Sequence, residues 1–214
     1  DETFSFGGVV TATYDNGSTR DVTKLAIVSE PNMSEVGTQS VTVTYEGKIA
    51  TYDITIEEKP ADAKAWTLVT DASSLKVGDQ IVIVAKDYNY AISTEQKSNN
   101  RGQASVTKSG TTIAEPGTTV QKLTLEAGTS SGTFAFNTGS GYLYAASSSS
   151  NYLRTEKTMS ANSSWSITIA TNGTATVKAT GLNTRNVMQY NQSSSLFACY
   201  SSASQKAIAI YRYE

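Results

Sequence analysis

Phe134-Ala135-Phe136, Tyr142-Leu143-Tyr144, Tyr152-Leu153-Arg154 and Trp165-Ser166-Ile167-Thr168-Ile169 follow one another within 36 residues. Each run is short and apolar or aromatic, and Gly, Ser and Asn fill the gaps, which is the pattern of strands joined by tight turns. The same four-run unit fits the chain twice more. Upstream stand Ile81-Val82-Ile83-Val84, Tyr90-Ala91-Ile92, Ala104-Ser105-Val106 and Leu123-Thr124-Leu125. Downstream stand Ala175-Thr176-Val177, Val187-Met188-Gln189-Tyr190, Leu196-Phe197-Ala198-Cys199-Tyr200 and Ile208-Ala209-Ile210-Tyr211. The fourth runs keep the spacing, with 44 residues from Leu125 to Ile169 and 41 from Ile169 to Ile210. The first runs are less even, at 53 from Ile83 to Phe136 and 41 from Phe136 to Val177. The excess falls in the first unit, where Gln96 to Thr119 reads as a long polar insertion.

A unit of four short strands cannot bury its apolar face alone. Three such units closed around one axis can, and closure leaves few free edges. Residues 66–214 therefore resemble a β-trefoil. An irregular sandwich or barrel of short strands would give the same spacing and stays open at this point. Helix is excluded, because Ser, Thr and β-branched residues dominate and no apolar stripe of 3.6-residue period occurs.

The first 56 residues alternate with period two. Val9, Thr11 and Thr13 point one way, and Val10, Ala12 and Tyr14 the other. Asp15-Asn16-Gly17-Ser18 and Glu46-Gly47-Lys48 read as hairpin turns. Val41, Val43 and Tyr45 line one face, as do Tyr52, Ile54 and Ile56 on the last strand. Four or five such strands imply a small sandwich. Gly8 to Ser18, Asp21-Val22-Thr23 and Gly37 to Tyr45 resemble a bacterial immunoglobulin-like domain of group 3 over residues 4–57. The resemblance implies a spacer or adhesive module without catalysis. Such domains usually carry one more leading strand, so either the chain is a piece of a longer polypeptide with upstream domains, which is the expectation, or the first strand is degenerate here. Residues 58–65 contain Pro60 and no apolar period, as a linker does.

The stretch Trp66 to Asp79, with Asn99-Asn100-Arg101, Gln189-Tyr190-Asn191 and Phe197-Ala198-Cys199-Tyr200, also resembles a C-terminal domain of secreted gut Bacteroidetes proteins. That resemblance implies an extracellular accessory module and brings no catalytic motif. The expected fold class is thus all-β: an Ig-like β-sandwich over 1–57, a linker over 58–65 and a β-trefoil-like domain over 66–214.

Composition narrows the chemistry. Ser and Thr supply 58 of 214 residues, and there is no His. Without His, most nucleophilic triads and zinc sites lose a member. The formal net charge is −2, with 17 basic and 19 acidic residues spread thinly, so no basic patch invites nucleic acid. No run of apolar residues approaches a membrane-spanning length. The single Cys199 sits in an apolar strand and reads as a buried small hydrophobe. Neither a CxxC pair nor an acidic calcium loop occurs, so no metal or cofactor is expected. Glu95, Glu115, Glu126 and Glu156 read as surface carboxylates rather than a glycosidase pair.

Tyrosine is the informative aromatic, with 12 Tyr against 5 Phe and 2 Trp. Many of the tyrosines lie beside Asn, Ser or Gln, and a ring with amides and hydroxyls at its rim suits a sugar. If Leu143 faces inward, Tyr142 and Tyr144 face out. With Asn151, Tyr152, Arg154, Tyr190 and Asn191 they form the expected ligand-binding set. Trp165 reads as core. Ser147–Ser150 and Ser193–Ser195 fall at equivalent places between second and third runs and read as flexible hairpin loops. The Gln-x-Trp signature of ricin-like trefoils is missing, and Gln189 and Gln205 have no such Trp partner. The expectation is a non-catalytic extracellular or surface protein that binds a glycan or another cell-surface ligand. The alternative is a structural or targeting appendage of a longer secreted enzyme.

Overall fold

The computed structural model describes residues 4–57 and 64–214. The chain divides into two compact units, Asp1–Ala63 and Lys64–Glu214. Residues 58–63 of the expected linker lie outside the described residues. Ala65 exchanges backbone hydrogen bonds with Glu214, so it is already part of the second unit.

In the first unit, β1 (Thr11–Thr13) pairs with β2 (Thr19–Asp21). A three-stranded sheet joins β3 (Ile27–Val28), β4 (Gly37–Tyr45) and β5 (Lys48–Ile56) in sequential order. Both expected turns form. Glu46 and Gly47 both adopt positive φ, 46° and 74°, as the tightest hairpin turn demands and as glycine allows most readily. Val22, Val41, Val43 and Ile56 are buried, while Val10 and Ala12 are half-buried and Val9 is exposed. The expected inner face of β5 is covered only at one end, with Ile56 buried and Tyr52 exposed.

The second unit opens with β6 (Trp66–Leu68). Its first repeat holds β7 (Gln80–Ala85), β8 (Tyr90–Lys97), β9 (Asn100–Ser105), the short β10 (Thr112–Ile113) and β11 (Leu123–Ala127). The second repeat holds β12 (Phe134–Asn137), β13 (Tyr142–Ala145), β14 (Leu153–Glu156) and β15 (Ser164–Ile169). The third holds β16 (Ala175–Ala179), β17 (Val187–Asn191), β18 (Leu196–Tyr200) and β19 (Ile208–Tyr213). First and fourth strands of each repeat pair into a closed ring, β7-β11-β12-β15-β16-β19 and back to β7. Second and third strands form three hairpins, β8–β9, β13–β14 and β17–β18. A closed six-strand ring carrying three hairpins is the β-trefoil arrangement expected from the repeat spacing.

Ladder register makes the repeats comparable residue by residue. Ile83, Phe136 and Val177 occupy one ring position, opposite Ile210, Leu125 and Ile167. Ile92, Leu143 and Met188 occupy one hairpin position and are all buried. Burying each such side chain stabilises the fold by about 1.5–3 kcal/mol. Trp165 is core as expected: it stacks on Phe136 at 5.6 Å, and its indole N–H donates to the Leu143 carbonyl. Cys199 is fully buried, and burial pushes its thiol up, away from the nucleophilic thiolate.

The first repeat breaks the symmetry twice. Gln96 to Thr119 is not a polar insertion dangling from the barrel. It supplies β9 and β10, and β10 pairs with β6, which in turn pairs with β19. Val106 and Ile113 from this stretch, and Val120 just after it, join Trp66, Val82, Val84 and Tyr211 in a second apolar cluster. The second break is Arg101. Two residues before Gln103, Thr155 and Cys199, which face Ile92, Leu143 and Met188 across their hairpins, come Arg101, Leu153 and Phe197. Leu153 and Phe197 are core, and Arg101 is 4% exposed. Its guanidinium donates to the Ser93 carbonyl at 3.0 Å, the Gln121 Oε1 at 2.6 Å and the Thr155 hydroxyl at 3.3 Å. Burial lowers its pKa, and its Nε has no partner among the described residues.

Candidate functional site

The turn from β12 to β13 fixes the entry to the site. Gly141 has φ of 150°, and a Cβ there would meet the Glu156 carbonyl oxygen, so only glycine fits. From this turn β13 alternates as expected. Leu143 and Ala145 are buried, while Tyr142 and Tyr144 face outward and are half-buried. Across the hairpin, Tyr142 stands opposite Glu156 and Tyr144 opposite Arg154. The Ala146 N–H donates to the Tyr152 carbonyl, which continues the ladder and carries the same outward face to Tyr152.

Hydrogen bonds order one end of this face. The Tyr142 hydroxyl donates to Glu126 Oε2 at 2.8 Å, and the Asn137 amide donates to Glu126 Oε1 at 2.5 Å. The Ser160 hydroxyl donates to Glu156 Oε1 at 2.6 Å. The bond to the Glu126 carboxylate, with a smaller contribution from burial, raises the Tyr142 phenol above its ordinary range. Glu126 and Glu156 thus flank one tyrosine ring, and Arg154 lies one ladder step away. Sequence reading placed both glutamates on the surface, and the register joins them to the tyrosines.

The remaining predicted residues are used otherwise. Asn151 accepts from Arg185 Nη1 at 2.7 Å and thereby ties the hairpin to the β16–β17 loop. In the same place, Ser148 bonds Asn183 and Thr184, so Ser147–Ser150 is a braced loop rather than a free one. Tyr190 does not present its ring to solvent. It is 1% exposed and packs against Tyr88, Tyr90 and Phe197. Its hydroxyl donates to Gln103 Oε1 at 2.6 Å, and burial raises its pKa. Tyr190 faces Phe197 in the β17–β18 ladder, and that register turns its ring into the core. Asn191 locks its own turn, accepting from Ser193 and Ser194 and donating to the Tyr200 hydroxyl.

A second polar-aromatic group escaped the sequence reading. Tyr88 donates to Gln192 Oε1 at 2.8 Å, and Lys206 Nζ lies 6.0 Å from the centre of its ring. The run Asp87-Tyr88-Asn89-Tyr90 between two strands was the available signal. Among the described residues no three His, Cys, Asp or Glu side chains gather as metal ligands. No described helix is long and apolar enough to cross a membrane.

No curated protein matches the chain. Among solved structures, it is similar to a designed three-fold symmetric protein, ThreeFoil, at 14% identity and a TM-score of 0.45. That match covers 62% of this chain and 97% of the other. It is also similar to the lysenin pore at 10% identity and a TM-score of 0.42, covering 82% of this chain and 63% of the other. Residues 4–56 match the family described as bacterial Ig-like domain (group 3), which agrees with the strand and turn pattern of the first unit.

Proposed function

We propose that the chain is a non-catalytic adhesion or binding module of a secreted or surface polypeptide. Its trefoil-like unit recognises a glycan through the outward face of β13–β14, and its Ig-like unit serves as a spacer. The observation that carries this reading is the pair Tyr142 and Tyr144 on one open face, with Glu126, Asn137, Glu156 and Arg154 at the rim. Sugar C–H faces stack on such rings, and the carboxylates, amide and guanidinium suit the hydroxyls around them. Glu126 is held by two donors, so part of the polar rim is ordered before a ligand arrives. An open face with two rings encloses little of a ligand and so binds weakly per site. Several copies on one surface would strengthen binding by avidity.

The competing reading is a structural or targeting appendage of a longer secreted enzyme. It is favoured by the Tyr142 hydroxyl, which Glu126 already occupies. A glycan array decides between them. Binding by the intact chain that Tyr144→Ala or Tyr152→Ala abolishes supports recognition. No signal on any glycan class supports the appendage.

A further inference from the structure

A cleft of about 560 Å³ lies between Leu75–Val77, just before β7, and the β11–β12 turn, Ala127 to Phe134. Its two walls are joined at the base, where the Gly78 N–H donates to the Leu125 carbonyl and the Leu125 N–H to the Asp79 carbonyl. The turn is braced from within. Gly128 N–H donates to the Thr133 carbonyl, the Thr133 hydroxyl to the Ser130 carbonyl, and the Thr129 N–H to the buried Ser164 hydroxyl. Apolar lining comes from buried Leu75 and half-buried Phe134, the latter packed on the barrel core. Exposed Val77 and Ala127 add to the apolar wall, and the hydroxyls and backbone of Gly128 to Thr133 line the opposite one. Among the described residues, the N–H groups of Ser130, Ser131 and Gly132 donate to no acceptor.

The one ionisable side chain in the lining is Lys76. The nearest carboxylate in sequence, Asp79, does not line the cleft; it accepts from the Lys76 N–H and pairs with Arg212 at 3.6 Å. Beside its apolar wall the lining therefore carries an ammonium, exposed turn N–H groups without an acceptor and hydroxyls, with no carboxylate to repel an anion. Such donor sets bind oxyanions. The geometry points to a second ligand site, separate from the tyrosine face, that takes a compact oxyanion: a carboxylate or sulfate, carried on a sugar or free.

The test titrates the intact chain with glucuronate, inorganic sulfate and a neutral methyl glucoside, following backbone amide resonances. Glucuronate or sulfate is expected to shift Ser130, Ser131 and Gly132, and the glucoside is not. Lys76 is exposed, so Lys76→Gln keeps the fold and is expected to weaken binding about tenfold, with Lys76→Arg retaining it. Tighter binding of glucuronate assigns a sugar acid; equal binding assigns a free anion. Shifts scattered over other lysines, shifts equal with the glucoside, or no response to Lys76→Gln would overturn the site. Tyr144→Ala leaves this binding unchanged, which separates its failure from that of the glycan face.

Discussion

Val84, Ala91 and Ala104 in the first repeat hold the ladder positions that Asn137, Tyr142 and Glu156 hold in the second. The backbone geometry is the same and the chemistry is opposite. The first trio is buried, at 0%, 0% and 7% exposure, under Trp66, Val106, Ile113 and Val120. The second trio is half-exposed and hydrogen-bonded at its edge. The third repeat lies between, with Lys178 exposed, Val187 half-buried and Tyr200 buried. A trefoil ladder fixes where side chains point, and what lies above them decides whether the face is core or binding surface. In this chain the extra residues of the first repeat make that decision by covering one face and leaving another bare.

Removing the cover gives the largest effect. Trp66→Ala opens a cavity over β7 and β19 and is expected to cost about 3–5 kcal/mol in urea unfolding of the second unit. Trp66→Phe sharpens the test. Among the described residues the buried indole N–H of Trp66 has no acceptor, so its loss offsets part of the lost area, leaving a cost of about 1 kcal/mol. A Trp66→Ala cost near that of a surface change would mean the cover contributes little, and the contrast between the two faces would lose its physical basis.

The repeats differ inside as well as outside. Gln121→Ala strips the shortest acceptor from a buried guanidinium and should cost about 1–3 kcal/mol. Arg101→Leu installs the kind of side chain found at Leu153 and Phe197 and should cost less, because a buried charge is exchanged for an apolar group. Equal costs for the two variants would mean that Arg101 is needed for its shape rather than tolerated for its bonds. Both are read from the same urea transitions.

Much of this contrast was legible in the chain. Ile81-Val82-Ile83-Val84-Ala85 has no polar alternation, the mark of a strand buried on both faces, and all five residues are buried. Tyr142-Leu143-Tyr144 alternates, and its face is open. What stayed hidden depends on long-range pairing. Val106, Ile113 and Val120 are isolated among polar residues, so only the pairing of β10 with β6 reveals them as a lid. Arg101 reads as surface until Gln121, twenty residues on, meets it. Tyr190 beside Asn191 looks like a ligand contact, yet the β17 strand has buried residues on both faces, Met188 and Tyr190 on one and Gln189 on the other. Short strands covered from two sides defeat a period-two reading.

On the open face, truncation should barely touch stability. Tyr144 makes no hydrogen bond through its hydroxyl among the described residues and is half-buried. Tyr144→Ala is expected to change unfolding free energy by about 1 kcal/mol or less. A loss comparable to that of Trp66→Ala would show the ring to be a packing element, and the second repeat would then resemble the first.

The finest probe asks whether Glu126 organises the open face at all. The Tyr142 phenol is raised chiefly because its neutral form donates to the Glu126 carboxylate. A folded-state pKa above the unfolded value, about 10 for tyrosine, favours the protonated form in the folded protein. The stabilisation is therefore complete below about pH 10 and disappears as pH rises through the folded pKa. Glu126→Gln replaces the charged acceptor with a neutral one, so Tyr142 should titrate closer to pH 10. Carbon-13 labelling of tyrosine, with Tyr142→Phe to assign the signal, reads this by NMR titration. At neutral pH the Glu126→Gln protein should also show a more mobile Tyr142 ring, since a neutral amide holds the hydroxyl less firmly. An unchanged Tyr142 titration would mean the carboxylate does not hold the ring, and the face would be open merely because nothing covers it.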